Sequence, residues 1–264
     1  MPPIKIAVHG AAGRMGQRVV ALGIADDQID VAAALEGASH PQLGTDAGLV
    51  AGAGELGVPL SASLETNVDA VIDFSVPDAT AAITATCIAA GVPLVVATTG
   101  LSDAGQAILR EAANKIAIVW SPNMSLAVNL TMKLAEVAGQ ALKNHPSGAD
   151  VEILERHHRY KEDAPSGTAL QFGKVISDVM GQTSETHGRQ GRPGKRPPGE
   201  IAYHAIRVGD NPGEHTIVFG LLGETIELRV AATNRDCYAH GALAAAKFIA
   251  GKPPGMYSMN DVLF

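Results

Sequence analysis

The sequence predicts an α/β chain: a parallel sheet covered by helices on both faces, followed by a smaller α+β domain with a mixed or antiparallel sheet. Three observations lead there. Short, near-continuous apolar runs alternate with helical patterns as far as Ser121, as expected for strands buried on both faces. Beyond position 150, strand-like runs succeed one another across short turns, the pattern of a second, α+β domain. One last helical pattern then closes the chain.

The elements follow in order. "IKIAVHG" (4–10) reads as a strand, "RMGQRVVALGIA" (14–25) as a helix and "DVAAALE" (30–36) as a strand. "DAVIDFS" (69–75) is the next strand, with a helix from Pro77 to Ala90 after it. "VPLVVATTG" (92–100) and "IAIVWSP" (116–122) are strands on either side of a helix at 103–115. Right-handed crossovers arrange such units as a doubly wound sheet. A long helix spans roughly 125–143. "ADVEILERHH" opens a strand, 167–181 is helical, and strands follow at 201–208, 215–222 and 225–232, with "GE" at 223–224 marking a tight turn. The helix at 239–251 is expected to pack back on the first domain. The domains are therefore 1–128 with 238–264, and 129–237.

Composition narrows the function. Hydrophobic residues make up 46% of the 264 and aromatics only 4%, so Ala, Val, Leu and Ile must fill the core. No apolar run reaches the ~18 residues of a membrane span, and the N-terminal segment has no signal-peptide pattern. Two cysteines, Cys87 and Cys237, suit a reducing cytoplasm and exclude a four-cysteine zinc site. A formal charge of −7 argues against broad nucleic-acid binding. The Gly-, Pro- and cation-rich segment 187–200 reads as a mobile loop. It carries Arg189, Arg192, Lys195 and Arg196 but no interleaved aromatics, so it is not a nucleic-acid patch.

"VHGAAGRMG" places Gly10, Gly13 and Gly16 between the first strand and the first helix. Gly10 permits the tight turn, Gly13 lets backbone N–H groups approach a pyrophosphate, and Gly16 allows close packing. The helix N-terminus holds the negative charge. The spacing G-x-x-G-x-x-G is weak by itself. Its context, with Glu36 closing the second strand, marks a Rossmann-like dinucleotide site, the carboxylate accepting from the ribose hydroxyls. Gly37, Ala38 and Ser39 follow Glu36 and offer no Arg to a 2′-phosphate, so NADH is expected to be preferred, with NADPH possible. Thr98, Thr99 and Asn123 end later strands. They can bond the nicotinamide half of the cofactor or cap the following helices.

"ERHHRYKEDAPSGTA" (155–169) is a local cationic device in an acidic chain. On a strand, His157 and His158 face opposite ways, one toward the cofactor cleft and the other bracing or binding. Pro165 and Gly167 make a turn, and Thr168 starts a helix whose N–H groups attract anions. Two histidines, Lys161 and a helix end make a receptor for a small carboxylate. Arg156 and Arg159 read as solvated or ion-paired. No further ligands follow at metal-site spacing, so no metal is expected.

These residues resemble the dihydrodipicolinate (4-hydroxy-tetrahydrodipicolinate) reductase family end to end, through "GAAGRMG", "VIDFSVP", "ATTG", "SPNMS", "ERHHRYKEDAPSGTA", "RVGDNPGEHT" and "YSMNDVL". The resemblance implies a cofactor domain and a mixed-sheet domain that binds substrate and builds a homotetramer. It implies that Gly10, Ala11, Ala12, Gly13, Arg14, Met15, Glu36, Ala97, Thr98, Thr99, Ser121, Pro122, Asn123 and Met124 contact the cofactor. It places His157 and Lys161 in the proton-transfer positions and His158, Gly167 and Thr168 on the carboxylates of a small cyclic dicarboxylate. Some members have an Arg where this chain has Gly37 and Val76, which again favours NADH. The implied reaction is reduction to tetrahydrodipicolinate in the diaminopimelate route to lysine, with hydride to ring C4 and a proton to ring C3. The second domain is expected to close over the cofactor on hinges near 125–130 and 233–240. Two other readings differ in class. A semialdehyde-type dehydrogenase needs a cysteine nucleophile at the cleft; a dinucleotide sensor would have no use for the His–Lys constellation.

Overall fold

A computed structural model describes residues 2–264 and divides the chain into two compact units, one running to Leu126 and resuming at Arg235–Phe264, the other Ala127–Asn234. In the first unit, strands β1 (Ile4–His9), β2 (Ile29–Leu35), β3 (Leu60–Ser61), β4 (Ala70–Asp73), β5 (Leu94–Val96) and β6 (Ala117–Trp120) alternate with helices. These are α1 (Arg14–Ile24), α2 (Ala47–Val50), α3 (Pro77–Ala90) and α4 (Asp103–Ala112). α5 (Leu126–Leu142) leads into the second unit, which holds β7 (Asp150–His157), α6 (Gly167–Met180), β8 (Ser184–His187), β9 (Glu200–Arg207), β10 (Glu214–Leu221) and β11 (Glu224–Ala231). The chain then returns to the first unit as α7 (Asp236–Ile249), β12 (Gly255–Tyr257) and α8 (Met259–Leu263).

The first sheet has seven strands in the order β12-β6-β5-β4-β1-β2-β3, every pair parallel. Strand order reverses at β1, the switch point where ligands bind in such sheets. Alternation along β1 shows why the apolar runs are continuous. Ile6 and Val8 pack with Val19 and Val20 of α1 and Ala242 and Ala246 of α7. Ala7 faces the other way, in a core shared with Ile83 and Cys87 of α3 and Leu109 of α4. Both faces are dry, so neither set can be polar. α3 starts with Pro77 in its first turn and stops at Gly91 in the left-handed conformation, both readable signals. α7 packs within the first unit and begins earlier than read, at Asp236, which ion-pairs with Arg18 of α1 at 2.6 Å.

The second sheet is mixed, in the order β11-β10-β7-β9-β8, with β7, β9 and β8 parallel and β10 antiparallel to β7 and β11. Val151, Ile153, Ile217 and Phe219 point to one face and pack on Phe172 and Ile176 of α6. The β10–β11 hairpin pairs Leu221 with Glu224, so its two-residue loop is Leu222–Gly223, one position earlier than the sequence suggested. The cation-rich loop after β8 is tethered. Arg189 bonds Glu152 at 2.8 Å and Glu200 at 2.6 Å, and Arg196 bonds Asp150 at 2.7 Å and Glu152 at 3.0 Å. Burial alone would raise the Glu152 carboxyl; Arg189, His204 and Arg196 instead hold it down at about 2. Among the described residues, no helix is long and apolar enough to cross a membrane.

Candidate active site

The first unit gathers its candidates at the carboxyl ends of the parallel strands. His9 is in register with Leu35 and Asp73, Asp73 with Val96, and Val96 with Trp120. The segments after these residues therefore line one edge: Gly10–Met15, Glu36, Ala97–Thr99 and Ser121–Met124. Gly10 has φ of 77°, and a Cβ on it would lie 2.8 Å from the Phe74 carbonyl oxygen. A Cβ on Gly16 would lie 2.0 Å from the Gly10 carbonyl oxygen, so α1 can start against the turn only with glycine there. Gly13 is the N-cap of α1 and supplies no side-chain cap, leaving the first turn's N–H groups for a ligand. Glu36 Oε1 accepts from the Ala12 N–H at 2.9 Å, fixing its carboxylate beside the glycine turn. A glycine cradle, an uncapped helix end and an adjacent carboxylate fit a dinucleotide.

Several other members of the set are also tied into the scaffold. The Thr98 hydroxyl donates to Asp73 Oδ2 at 3.0 Å, and Ser102 caps α4, so Thr98 is no helix cap. Thr99 and Pro122 are exposed. Ser121 Oγ donates to the Asn123 carbonyl at 2.8 Å, and Asn123 Oδ1 accepts from the Ser125 N–H at 2.9 Å. Ala11, Ala97 and Met124 lie in the core. Sequence reasoning missed the centre of this edge. Asp73, fully buried, accepts from Thr80 at 2.7 Å and Thr98 and is paired with His9 Nδ1 at 2.8 Å. Burial pushes its carboxyl up, but His9, Ser75 and Thr80 outweigh that and hold it below the usual range.

The second unit folds the cationic stretch into one cluster at the end of β7. His157, the strand's last residue, is buried, with Nδ1 2.5 Å from Glu155 Oε2. Burial lowers its pKa, Glu155 opposes, and the charges of Lys161 and Arg207 lower it further, so the ring is neutral at pH 7. His158, just past the strand, is half-buried, and its Nδ1 is buried without a hydrogen-bond partner. Lys161 Nζ pairs with Asp163 at 2.7 Å. The helix begins at Gly167, the first residue of the helical stretch read at 167–181, and Ser166 is the cap: its Oγ accepts from the Ala169 N–H at 3.2 Å. Gly167 is exposed, and a Cβ there would meet nothing within 4 Å, so its backbone is open to a ligand. Arg156 is ion-paired with Glu214, and Arg159 is exposed. Among the described residues, no group of three or more His, Cys, Asp or Glu is disposed to hold a metal.

A nucleophilic thiol is absent from this arrangement. Burial, with the nearby Asp73 charge, pushes the Cys87 thiol up to about 12, and burial also raises Cys237. The cysteine-dependent dehydrogenase reading loses its nucleophile.

A Rossmann-type dinucleotide unit joined to a mixed-sheet unit with a His–Lys cluster defines the class: an oxidoreductase acting with a nicotinamide cofactor. Comparison with known proteins is more specific. Residues 4–124 match the family described as dihydrodipicolinate reductase, N-terminus, and residues 127–263 its C-terminus. The 4-hydroxy-tetrahydrodipicolinate reductase of Rhodopirellula baltica is 58% identical over 99% of this chain and 96% of its own length. The enzyme of the same name from Cupriavidus pinatubonensis is 43% identical over 98% and 99%. A dipicolinate-bound dihydrodipicolinate reductase from Paenisporosarcina sp. TG-14 shares the fold, with a TM-score of 0.80 and 24% identity over 99% of this chain and 100% of that one. The chain belongs to the dihydrodipicolinate reductase family.

Proposed function

We propose that this enzyme reduces 4-hydroxy-tetrahydrodipicolinate to tetrahydrodipicolinate, in the diaminopimelate route to lysine, with the cofactor held by the first unit and the proton supplied by Lys161 of the second. The observation that carries the assignment is the local fold of residues 155–168. It presents an ammonium group, a histidine with a buried unpaired nitrogen and the exposed Gly167 at the start of α6 on one short stretch.

Gly10–Met15 and Glu36 would hold the pyrophosphate and ribose, and Ala97–Thr99 with Ser121–Met124 the nicotinamide end. A bound reduced nicotinamide supplies the hydride, which goes to ring C4 of the dehydrated substrate. His158, Gly167 and Thr168 bind the substrate carboxylates: the orphaned Nδ1 of His158 gains a partner, and the α6 N-terminus favours the negative charge. Reduction leaves electron density to be quenched at ring C3. Lys161 gives its proton there, because neutral His157 has none to spare without exposing Glu155. The units close over the bound molecules to exclude water.

NADH is the preferred cofactor. Glu36 presents a carboxylate where a 2′-phosphate would sit, the space beside Gly37 is open, and Val76 is 60% exposed without charge. The enzyme is a cytoplasmic homotetramer. Leu154, Ile206 and Val218 lie on the sheet face opposite α6, and Ile206 is 46% exposed, an apolar patch that a second copy would cover.

One assay tests the core of this reading: NADH oxidation with substrate made in situ from pyruvate and aspartate semialdehyde. Turnover is expected; its absence would refute the assignment. Repeating it with NADPH tests the preference, which a kcat/KM more than about tenfold in favour of NADPH would reverse. Sedimentation should give four chains per particle.

A further inference from the structure

Glu155 has been met only as the partner of His157, yet it is the most heavily bonded carboxylate of the second unit's site. It stands two residues before His157 on β7, so both side chains leave the same face. It is 1% exposed. Arg207 of β9 approaches it with two N–H groups, at 2.8 Å to Oε2 and 2.7 Å to Oε1. The backbone N–H of Ser166 donates to Oε1 at 3.1 Å, and His157 Nδ1 lies 2.5 Å from Oε2. Arg207 also donates to the Asp163 carbonyl at 2.6 Å, and Ser166 Oγ is 3.0 Å from His215 Nε2. A single carboxylate thus ties the imidazole of His157 to β9, to the Lys161–Asp163 turn and to the cap of α6.

The chemistry of the pair is directional. Burial would raise the Glu155 carboxyl, but Arg207 and His157 hold it below the usual range, so it is an anion that only accepts. The Nδ1 of His157 must therefore donate, and in a neutral ring Nε2 then carries the lone pair. A solvated neutral histidine side chain prefers its proton on the other nitrogen. At Nε2 the chain makes room: a Cβ on Gly213 would lie 2.9 Å from it.

We propose that Glu155, clamped by Arg207, is a positioning residue that fixes His157 as the Nδ1–H tautomer and so leaves Nε2, the nitrogen beside Gly213, as the ring's acceptor. The inference rests on the assignment of Lys161 as proton donor and adds the protonation state of His157.

The resting enzyme gives the first test, without substrate. Long-range ¹H–¹⁵N NMR at pH 7, with His157→Gln to assign the signal, should find the His157 proton on Nδ1; a proton on Nε2 would overturn the proposal. Glu155→Gln should shift the population toward Nε2–H. It should lower kcat about tenfold or more while the KM for NADH stays unchanged. His157 is faced by Glu155 from its own strand, Lys161 from the following turn, Arg207 from β9 and His215 from β10. With the anion removed, the remaining cations disfavour the imidazolium, so the acid limb of kcat/KM should move to lower pH. Glu155→Asp, which keeps the charge, should recover part of the lost rate and return the limb toward its original position. Wild-type kcat and an unmoved limb in Glu155→Gln would sink the idea. If that variant fails to fold, the wild-type tautomer decides. A wild-type enzyme with no turnover would defeat the functional assignment and leave the tautomer measurement standing on its own.

Discussion

Asp73 and His9, 64 residues apart in sequence, meet at 2.8 Å under the glycine turn, with the carboxylate fully buried. The two strands that carry them are adjacent and parallel, and the pair sits where their carboxyl ends meet the ligand edge. Removing the carboxylate leaves His9 without its partner and Thr80 and Thr98 with only their longer contacts to the Val76 and Asp73 carbonyls, at 3.3 and 3.5 Å. Asp73→Ala should therefore destabilise the protein by about 1–3 kcal/mol, the range for leaving buried polar partners unsatisfied. The sign of its pH dependence follows from its lowered pKa. The carboxylate's contribution is present above the unfolded value, near pH 4, and is lost as pH falls through the lower folded value. Urea denaturation of the two proteins at pH 7 checks the magnitude; equal midpoints would refute it.

Gly16 offers a second test at the same edge. A Cβ 2.0 Å from the Gly10 carbonyl oxygen must push α1 off the turn, since the obstacle is backbone. Gly16→Ala should weaken NADH binding about tenfold or more, a loss of roughly 1.4 kcal/mol. Fluorescence titration with NADH measures it directly. An unchanged Kd would mean that α1's first turn does not hold the pyrophosphate.

What the sequence showed and what it hid have physical reasons. α3 was legible because Pro77 and Gly91 bracket an apolar run. β3, of two residues, is too short to show a period. β8 reads "SETH", and none of its residues is buried, so it carries no hydrophobic signal. At the site, the glycine turn and the cationic stretch could be read because each is contiguous. Asp73, Glu155, Arg207 and His215 could not, because each acquires its meaning from a partner dozens of positions away. Arg207 is 52 residues from Glu155, and His215 is 49 from Ser166. "RVGDNPGEHT" carries Arg207, Gly213 and His215 together, yet only the fold shows that they brace or border the His157 cluster.

Substitutions in that cluster should separate chemistry from binding. Lys161→Ala and His157→Ala should each lower kcat about tenfold or more, the scale of a positioned proton transfer, with the fold intact by circular dichroism. His158→Ala should mainly raise the substrate KM, because its unpaired Nδ1 is assigned to a substrate carboxylate. Steady-state kinetics distinguish the two outcomes. Wild-type turnover in the first pair would remove them from the reaction, and an unchanged KM in the third would remove His158 from binding.

Buried His215 should make the enzyme's stability sensitive to acid. It is 4% exposed, its ring meets that of His157 at 5.2 Å and that of Phe172 at 5.8 Å, and its Nε2 faces Ser166 Oγ. Burial first, then the charge on His157, lowers its pKa to about 4 from an ordinary 6.5. Between those values the unfolded chain binds a proton that the folded one refuses. Stability must therefore fall as pH drops from 6.5 toward 4, by on the order of 3 kcal/mol for this one group. His215→Gln removes the titrating ring and keeps a group able to bond Ser166. Its midpoint of urea denaturation should fall less steeply than that of the wild type across this window. Parallel curves would show that folding does not lower the pKa of His215.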